Sequence, residues 1–237
     1  MPQQHFPASA RGTKDSGWLR SNFFLSFSSY THPLKSAFGT LFAFNDDYLQ
    51  PGKGFGLHPH INMEIISVLL KGKMNHKDSM GYDHVVEEGG VQIMSAGSGL
   101  KHEEYNIGDD EVNFLQIWIY PKLQNVIPRY QFRTFPLEDR RNRLVTIISG
   151  EEGLEHCWIN QNARLSLGHF DKGAGYRYEY SPLNKCLFIF LIEGRIRVDG
   201  LTLGPRDAAG LWDTDAADIF MEEESQFLII ETVINQK

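Results

Sequence analysis

Apolar positions in this chain recur in short runs of period two or in brief unbroken stretches, and few segments carry the three-to-four spacing of an amphipathic helix. Phe38 to Phe44 alternates, with Phe38, Thr40, Phe42 and Phe44 on one face and Gly39, Leu41 and Ala43 on the other. Asn45-Asp46-Asp47 then predicts a turn. Met63 to Leu70 reads as a strand from its β-branched content, turned by Leu70-Lys71-Gly72-Lys73. Asp78-Ser79-Met80-Gly81 predicts a hairpin turn, and Val91 to Met94 and Phe114 to Tyr120 predict further strands. Ahead of these, Trp18, Phe23, Phe24, Phe27 and Tyr30 suit strands or strand edges. The first seventeen residues, polar and irregular, are expected to form an arm rather than part of a core.

Pro121 to Pro136 reads as a connection between two halves. Short strands resume beyond it: Leu144 to Ile148, Ala163 to Phe170, Tyr176 to Tyr180, Leu187 to Ile192, Arg195 to Val198, Ala209 to Leu211, Ile219 to Met221 and Phe227 to Thr232. Asp199-Gly200 is a tight turn of hairpin type. Strands of this length and spacing predict an all-β sandwich or barrel.

Composition narrows the function classes. The chain has 237 residues, enough for one large β domain or two of about a hundred residues each. A net charge of -7 argues against nucleic-acid and anionic-membrane partners, which need clustered Lys and Arg. No run is long enough for a membrane span, and the first residues lack the basic start and apolar core of a secretory leader, so a cytoplasmic location is expected. Cys157 and Cys186 lack metal-type spacing and are expected to be reduced thiols in or near a core.

Chemistry concentrates between Gly52 and Asn106. On an extended strand residues two apart share a face, so His58 and His60 can point together, as can His102 and Glu104. Pro59, which cannot donate a ladder hydrogen bond, places the first pair at a strand start, an edge or a bulge. If the two segments lie side by side with both pairs inward, three imidazoles and one carboxylate converge inside a barrel. A divalent transition metal takes such a donor set. His76 and His84 flank the predicted hairpin turn and are expected to be exposed, whereas His156 and His169 are expected to be structural.

These residues resemble the cupin superfamily. Gly52-x5-His58-x-His60-x3-Glu64, followed by Gly72, looks like the first cupin motif, and Gly97-x-Gly99-x2-His102-x3-Asn106 looks like the second. Within cupins the chain is similar to the pirin family through Asn45-Asp46-Asp47, Gly54-Phe55-Gly56-x-His58-Pro59-His60, Met63-Glu64-Ile65, Asp78-Ser79-Met80-Gly81, Gln92 to Gly97, Tyr105-Asn106, Gln116-Ile117-Trp118-Ile119 and Pro128-Arg129-Tyr130. The likeness is strong over about Trp18 to Phe135 and mostly topological beyond. Three departures stand out: Gly97 replaces the second-motif proline, seven residues instead of six separate Glu64 from Gly72, and Phe23 stands where a polar or histidine residue is frequent near the pocket mouth.

The resemblance implies a bicupin of two antiparallel β barrels, residues 1–130 holding a metal and 131–237 without one. It implies His58, His60, His102 and Glu104 as ligands, with Glu64 as rival for the fourth place. A residue four beyond His60 on a strand lies roughly 13 Å away at about 3.3 Å per residue, which favours Glu104. The implied activity is a quercetin 2,3-dioxygenase-like cleavage of a flavonol by O2, the substrate enolate on the metal and Glu104 assisting removal of the 3-hydroxyl proton. Iron(II) is the first expectation for the metal, with copper, nickel, cobalt, manganese or zinc as alternatives. Partners are then a small aromatic substrate and O2, with the protein a monomer. Phe42, Phe44, Phe55 and Met94 are candidates to line the pocket, with core packing as the favoured reading. The alternative function is an iron-dependent binding protein that engages a regulatory partner.

Overall fold

Four sheets, antiparallel except where Cys157–Trp158 pairs parallel with Arg143–Ser149, make up the computed structural model, which describes residues 2–33, 35–181 and 183–234. Met1 and the last three residues of the expected second domain lie outside it. One sheet of seven strands runs in the order Arg129–Thr134, Gly90–Ser95, Glu64–Lys71, Val112–Ile119, Leu41–Leu49, Leu19–Phe23 and Gly12–Asp15. A four-stranded sheet, Gly54–His60, Leu100–Asn106, Lys73–Asp78 and Asp83–Glu87, closes over it to form the first barrel. The second half repeats the arrangement, a seven-stranded sheet centred on Cys186–Glu193, Ser225–Thr232 and Arg164–Phe170 facing a four-stranded one. The chain has the all-β, two-domain cupin fold.

The barrels meet through the outer faces of their large sheets, where the main core lies. Phe24 and Phe44 come from one side and Phe188 and Phe190 from the other; Phe44 sits 5.1 and 4.9 Å from the last two rings, centroid to centroid. Aromatic pairs at such spacing add to the area they bury. Cys157 and Cys186 are both free and buried.

Strand parity decides what each residue of Leu41–Leu49 faces, and it overturns the turn expected at Asn45-Asp46-Asp47, all three of which lie within the strand. Phe44 and Asp46 point toward the second barrel, where Asp46 pairs with Arg206 at 3.0 Å and with Arg11 at 2.9 Å. Asn45 and Asp47 point into the first barrel. The local turn preference of these residues loses to strand pairing on both sides and to the ion pairs of Asp46.

The N-terminal arm is also corrected. Gln3–Phe6 pairs with Ala208–Trp212 at the edge of the second barrel's large sheet, and Phe6 is buried against Phe38 and Phe188. Gly12–Asp15 pairs with Leu19–Phe23 in the first barrel. The stretch expected to link the halves carries a strand, Arg129–Thr134, hydrogen-bonded to Gly90–Ser95 of the first barrel and spanning position 130. Apart from these, the predicted strands and turns of the second half fall close to their expected places, with Cys157–Trp158 and Leu201–Leu203 as additions.

Candidate metal centre

The pairing of Leu100–Asn106 with Gly54–His60 sets His102 directly across from His58. Without interruption the next inward residue of the first strand would be Gly56. A bulge between the pairs His102↔His58 and Glu104↔Phe55 shifts the register by one, so Phe55 turns inward while Gly56 and Leu57 face solvent. This is what a bulge does, re-aiming the side chains of one strand. The bulge gives the imidazoles an aromatic neighbour: Phe55 packs against Trp18 at 5.8 Å.

The three imidazoles converge. Ring centroids lie 4.7 Å apart for His58 and His60, 4.4 Å for His58 and His102, and 5.0 Å for His60 and His102. One nitrogen from each comes within 4.8 Å of the others. His58 Nδ1 donates to Gly56 O at 2.7 Å, which leaves Nε2 with its lone pair. His60 stands edge-on to the Trp118 ring at 5.0 Å. His102 is buried with no hydrogen-bond partner on either nitrogen, an arrangement that buried polar groups rarely tolerate unless a ligand completes it.

Glu104 belongs to a second, overlapping group with His76 and His102, and its carboxylate falls outside the group formed by His58 and His60. Gln92 Nε2 donates to Glu104 Oε1, Ser67 Oγ stands at 3.5 Å from the same oxygen, and His76 Nδ1 lies 4.0 Å away. Tyr130 OH donates to Gln92 Oε1 at 2.9 Å, and its ring stacks on His76 at 4.3 Å. His76 Nε2 faces Asp78 Oδ2 at 3.4 Å, and Asp78 Oδ1 accepts from the amides of Met80 and Tyr82 in the adjoining turn.

Charge states suit a cation. Burial, with His58 as an unfavourable neighbour, lowers His60 and His102 to about 4, so both rings are neutral at pH 7. Burial alone would raise Glu104, but the neighbouring imidazoles of His76 and His102 and the hydrogen bond from Gln92 hold it at about 2. Neutral imidazoles with an ionised carboxylate nearby are the donors a divalent metal requires. The residues present therefore fit such an ion.

One expectation is corrected here. His76 is buried at 1% exposure beside His102, while His84 is exposed as expected and stacks on the Tyr130 ring at 5.5 Å. The buried alternation Met74, His76, Asp78 along Lys73–Asp78 was the signal for it. Of the four apolar candidates for the pocket wall, only Phe55 lines it. Phe44 lies between the barrels, Met94 packs with Ile65, Leu100 and Tyr130, and Phe42 stands against Tyr120 at 5.1 Å.

Glu64 faces away. On Glu64–Lys71 the residues Ile65, Ser67 and Leu69 point into the barrel, while Glu64, Ile66 and Val68 point toward the second barrel. Its Oε2 accepts from Ser95 Oγ at 2.6 Å and from the Asn160 amide at 3.2 Å.

The histidines open onto a cavity of about 370 Å³. Trp18, Phe23, Phe27, Phe55 and Trp118 supply its aromatic walls, and Phe23 is thus at the cavity, as its position predicts. In the second barrel His169 is paired with Glu224 at 2.8 Å and His156 Nδ1 lies 3.2 Å from Cys157 O. Among the described residues, both groups able to hold a metal lie in the first barrel.

Two face-to-face β barrels, one enclosing a histidine cluster, define a bicupin with a single candidate metal centre. The comparisons with known proteins name the family. Residues 6–119 match the family described as Pirin, and residues 146–232 match the quercetinase C-terminal cupin domain. The chain is 33% identical to a pirin-like protein of Caulobacter vibrioides over 95% of its length and 97% of the relative's. It is 32% identical to a quercetin 2,3-dioxygenase of Escherichia coli K12, covering 94% and 96%. The crystal structure of the bacterial pirin YhhW from Escherichia coli in complex with nickel(II) superposes with a TM-score of 0.93 at 29% identity, covering 98% of this chain and all of the other. This chain belongs to the pirin family.

Proposed function

We propose that the chain is a metal-dependent dioxygenase that opens the ring of a flavonol such as quercetin with O2, its ligands being His58, His60, His102 and Glu104. The observation that carries the reading is the trio of neutral imidazoles, donor atoms within 4.8 Å, exposed to an aromatic-walled cavity of about 370 Å³. That volume lies in the range of small-molecule sites. A bound divalent metal supplies Lewis acidity to an enolic oxygen and a redox-active centre for dioxygen. Iron(II) is our first choice for it, and nickel, held by the crystallised relative, the second.

The protein's own groups do the rest. Gly56 fixes the tautomer of His58, and Trp118 limits rotation of the His60 ring. Trp18, Phe27, Phe55 and Trp118 take the planar faces of the substrate and keep water out. Glu104, oriented by Gln92, accepts a proton from the acidified hydroxyl. A carboxyl held at about 2 is a weak base, so this transfer depends on the hydroxyl being made strongly acidic.

The test loads the protein with iron(II), nickel(II), cobalt(II), copper(II) and manganese(II) in turn and follows quercetin absorbance together with oxygen consumption. One ion per chain and matched loss of quercetin and oxygen are expected. Tight metal binding without turnover for every ion overturns the enzyme reading and favours a metal-dependent binding protein.

A further inference from the structure

The cavity wall opposite the strand of His58 and His60 carries two polar groups that the chemistry above leaves unused. Asn45 and Asp47 sit two apart on Leu41–Leu49, so both point inward, and both line the cavity. They are 2% and 3% exposed, and neither Asn45 Oδ1 nor Asp47 Oδ1 has a hydrogen-bond partner. Their polar neighbours are already engaged. Gln116 takes the Ser67 hydroxyl at 3.2 Å, and Ser21 gives its own to the Asp47 carboxyl. Asp46, between the pair, is saturated on the other face of the strand by Arg11, Asn113 and Arg206. Two adjacent buried oxygens without partners, in a cavity, call for a ligand that supplies the missing hydrogen bonds.

We propose that Asn45 and Asp47 form a recognition pair for ring hydroxyl groups of the aromatic substrate, distinct from the oxygen presented to the metal; the inference rests on the dioxygenase reading of this cavity. A hydroxyl fits the pair better than other polar groups do. Burial is the main cause that pushes Asp47 up to about 7, with Asp46 and Glu104 adding to it, so acid and carboxylate forms coexist near neutrality. A phenolic hydroxyl donates to the carboxylate and accepts from the acid, whereas an ammonium group can only donate. A substrate carboxylate would meet Asp47 and Glu104 as like charges. The aromatic walls complete the class: a flat, neutral, polyhydroxylated ring system.

The probes are quercetin and 3-hydroxyflavone, which share the metal-directed 3-hydroxyl but differ in that only quercetin carries further ring hydroxyls. Binding to the nickel-loaded protein is read from quenching of the cavity tryptophans, Trp18 and Trp118. The wild type should bind quercetin at least about tenfold more tightly than 3-hydroxyflavone, the discrimination expected of a site built to hold a hydroxyl. Asn45→Ala and Asp47→Ala should each reduce that ratio severalfold by weakening quercetin alone, with nickel content and 3-hydroxyflavone affinity unchanged. The variants are scored separately, so if one fails to fold the other decides. A wild type without the preference, or variants that keep it or weaken both ligands alike, overturns the recognition pair while the dioxygenase reading stands on wild-type turnover of quercetin. A wild type that binds neither flavonol overturns both.

Discussion

The two barrels share a strand plan but use their interiors oppositely. The second is filled: Leu187, Ile189, Leu191, Ala209, Leu211, Ile229 and their neighbours close it with apolar side chains. The first keeps a cavity, and its interior holds imidazoles, amides and carboxylates. Each barrel also contains a buried carboxylate, and the pair makes the contrast concrete. Glu231 is fully enclosed and saturated, accepting from Arg164, Tyr178, Asn184 and the Ser181 amide. Glu104 is enclosed beside imidazoles, one of which has no partner on either nitrogen. A scaffold pairs its polar groups internally; a binding site leaves some for its ligand.

The contrast breaks most sharply at the histidines. His102→Ala should reduce bound metal at least about a hundredfold, beyond the 10–100-fold loss typical of residues that merely support a ligand, and turnover should fall with it. His169→Ala in the second barrel should leave the metal content at the wild-type level. Elemental analysis of both proteins after identical loading and dialysis reads the difference, and equal retention would remove the first barrel's claim to the ion.

Glu231 tests the other side of the comparison. Glu231→Ala leaves Tyr178, Asn184 and the Arg164 head without their acceptor, which should cost about 2–3 kcal/mol in chemical denaturation, with metal stoichiometry unaltered. The hydrogen bonds from Tyr178, Arg164 and Asn184 overcome burial and depress the Glu231 pKa. A depressed pKa contributes stability that is present above the unfolded value, about 4.3, and lost as pH falls through the folded value. Glu231→Gln should therefore flatten the stability profile below about pH 4 while changing it little in shape at neutrality.

Strand parity explains which parts of the site were legible. His58-x-His60 and His102-x-Glu104 announce a shared face because alternation is a local property, readable without knowing the neighbours. The turn expected at Asn45-Asp46-Asp47 fails because the partners that hold it extended, Arg206 above all, lie 160 positions away from Asp46 in the chain. The bulge that brings Phe55 inward is likewise a property of two strands together. Gln92, Ser67 and Tyr130 were missed because a polar residue within a strand does not reveal what it bonds. The inter-barrel role of Phe44 and Phe188 was invisible for the same reason: apolar alternation marks a buried face without saying against which sheet it is buried.

The smallest expected effect distinguishes two histidines that the hairpin turn treats alike. His76 and His84 face each other in register across the Lys73–Asp78 and Asp83–Glu87 pair, and both rings stack with Tyr130. Only His76 reaches Glu104 and His102. His76→Phe keeps an aromatic ring against Tyr130 but removes the nitrogen facing the carboxylate, so metal affinity should drop about tenfold, the low end for a supporting residue. His84→Phe should leave it within about twofold, since that ring touches the site only through Tyr130. Competition of each variant with a chelator of known affinity measures the pair. Equal losses would mean that the Tyr130 stack, and not the contact between imidazole and carboxylate, is what holds Glu104 in place.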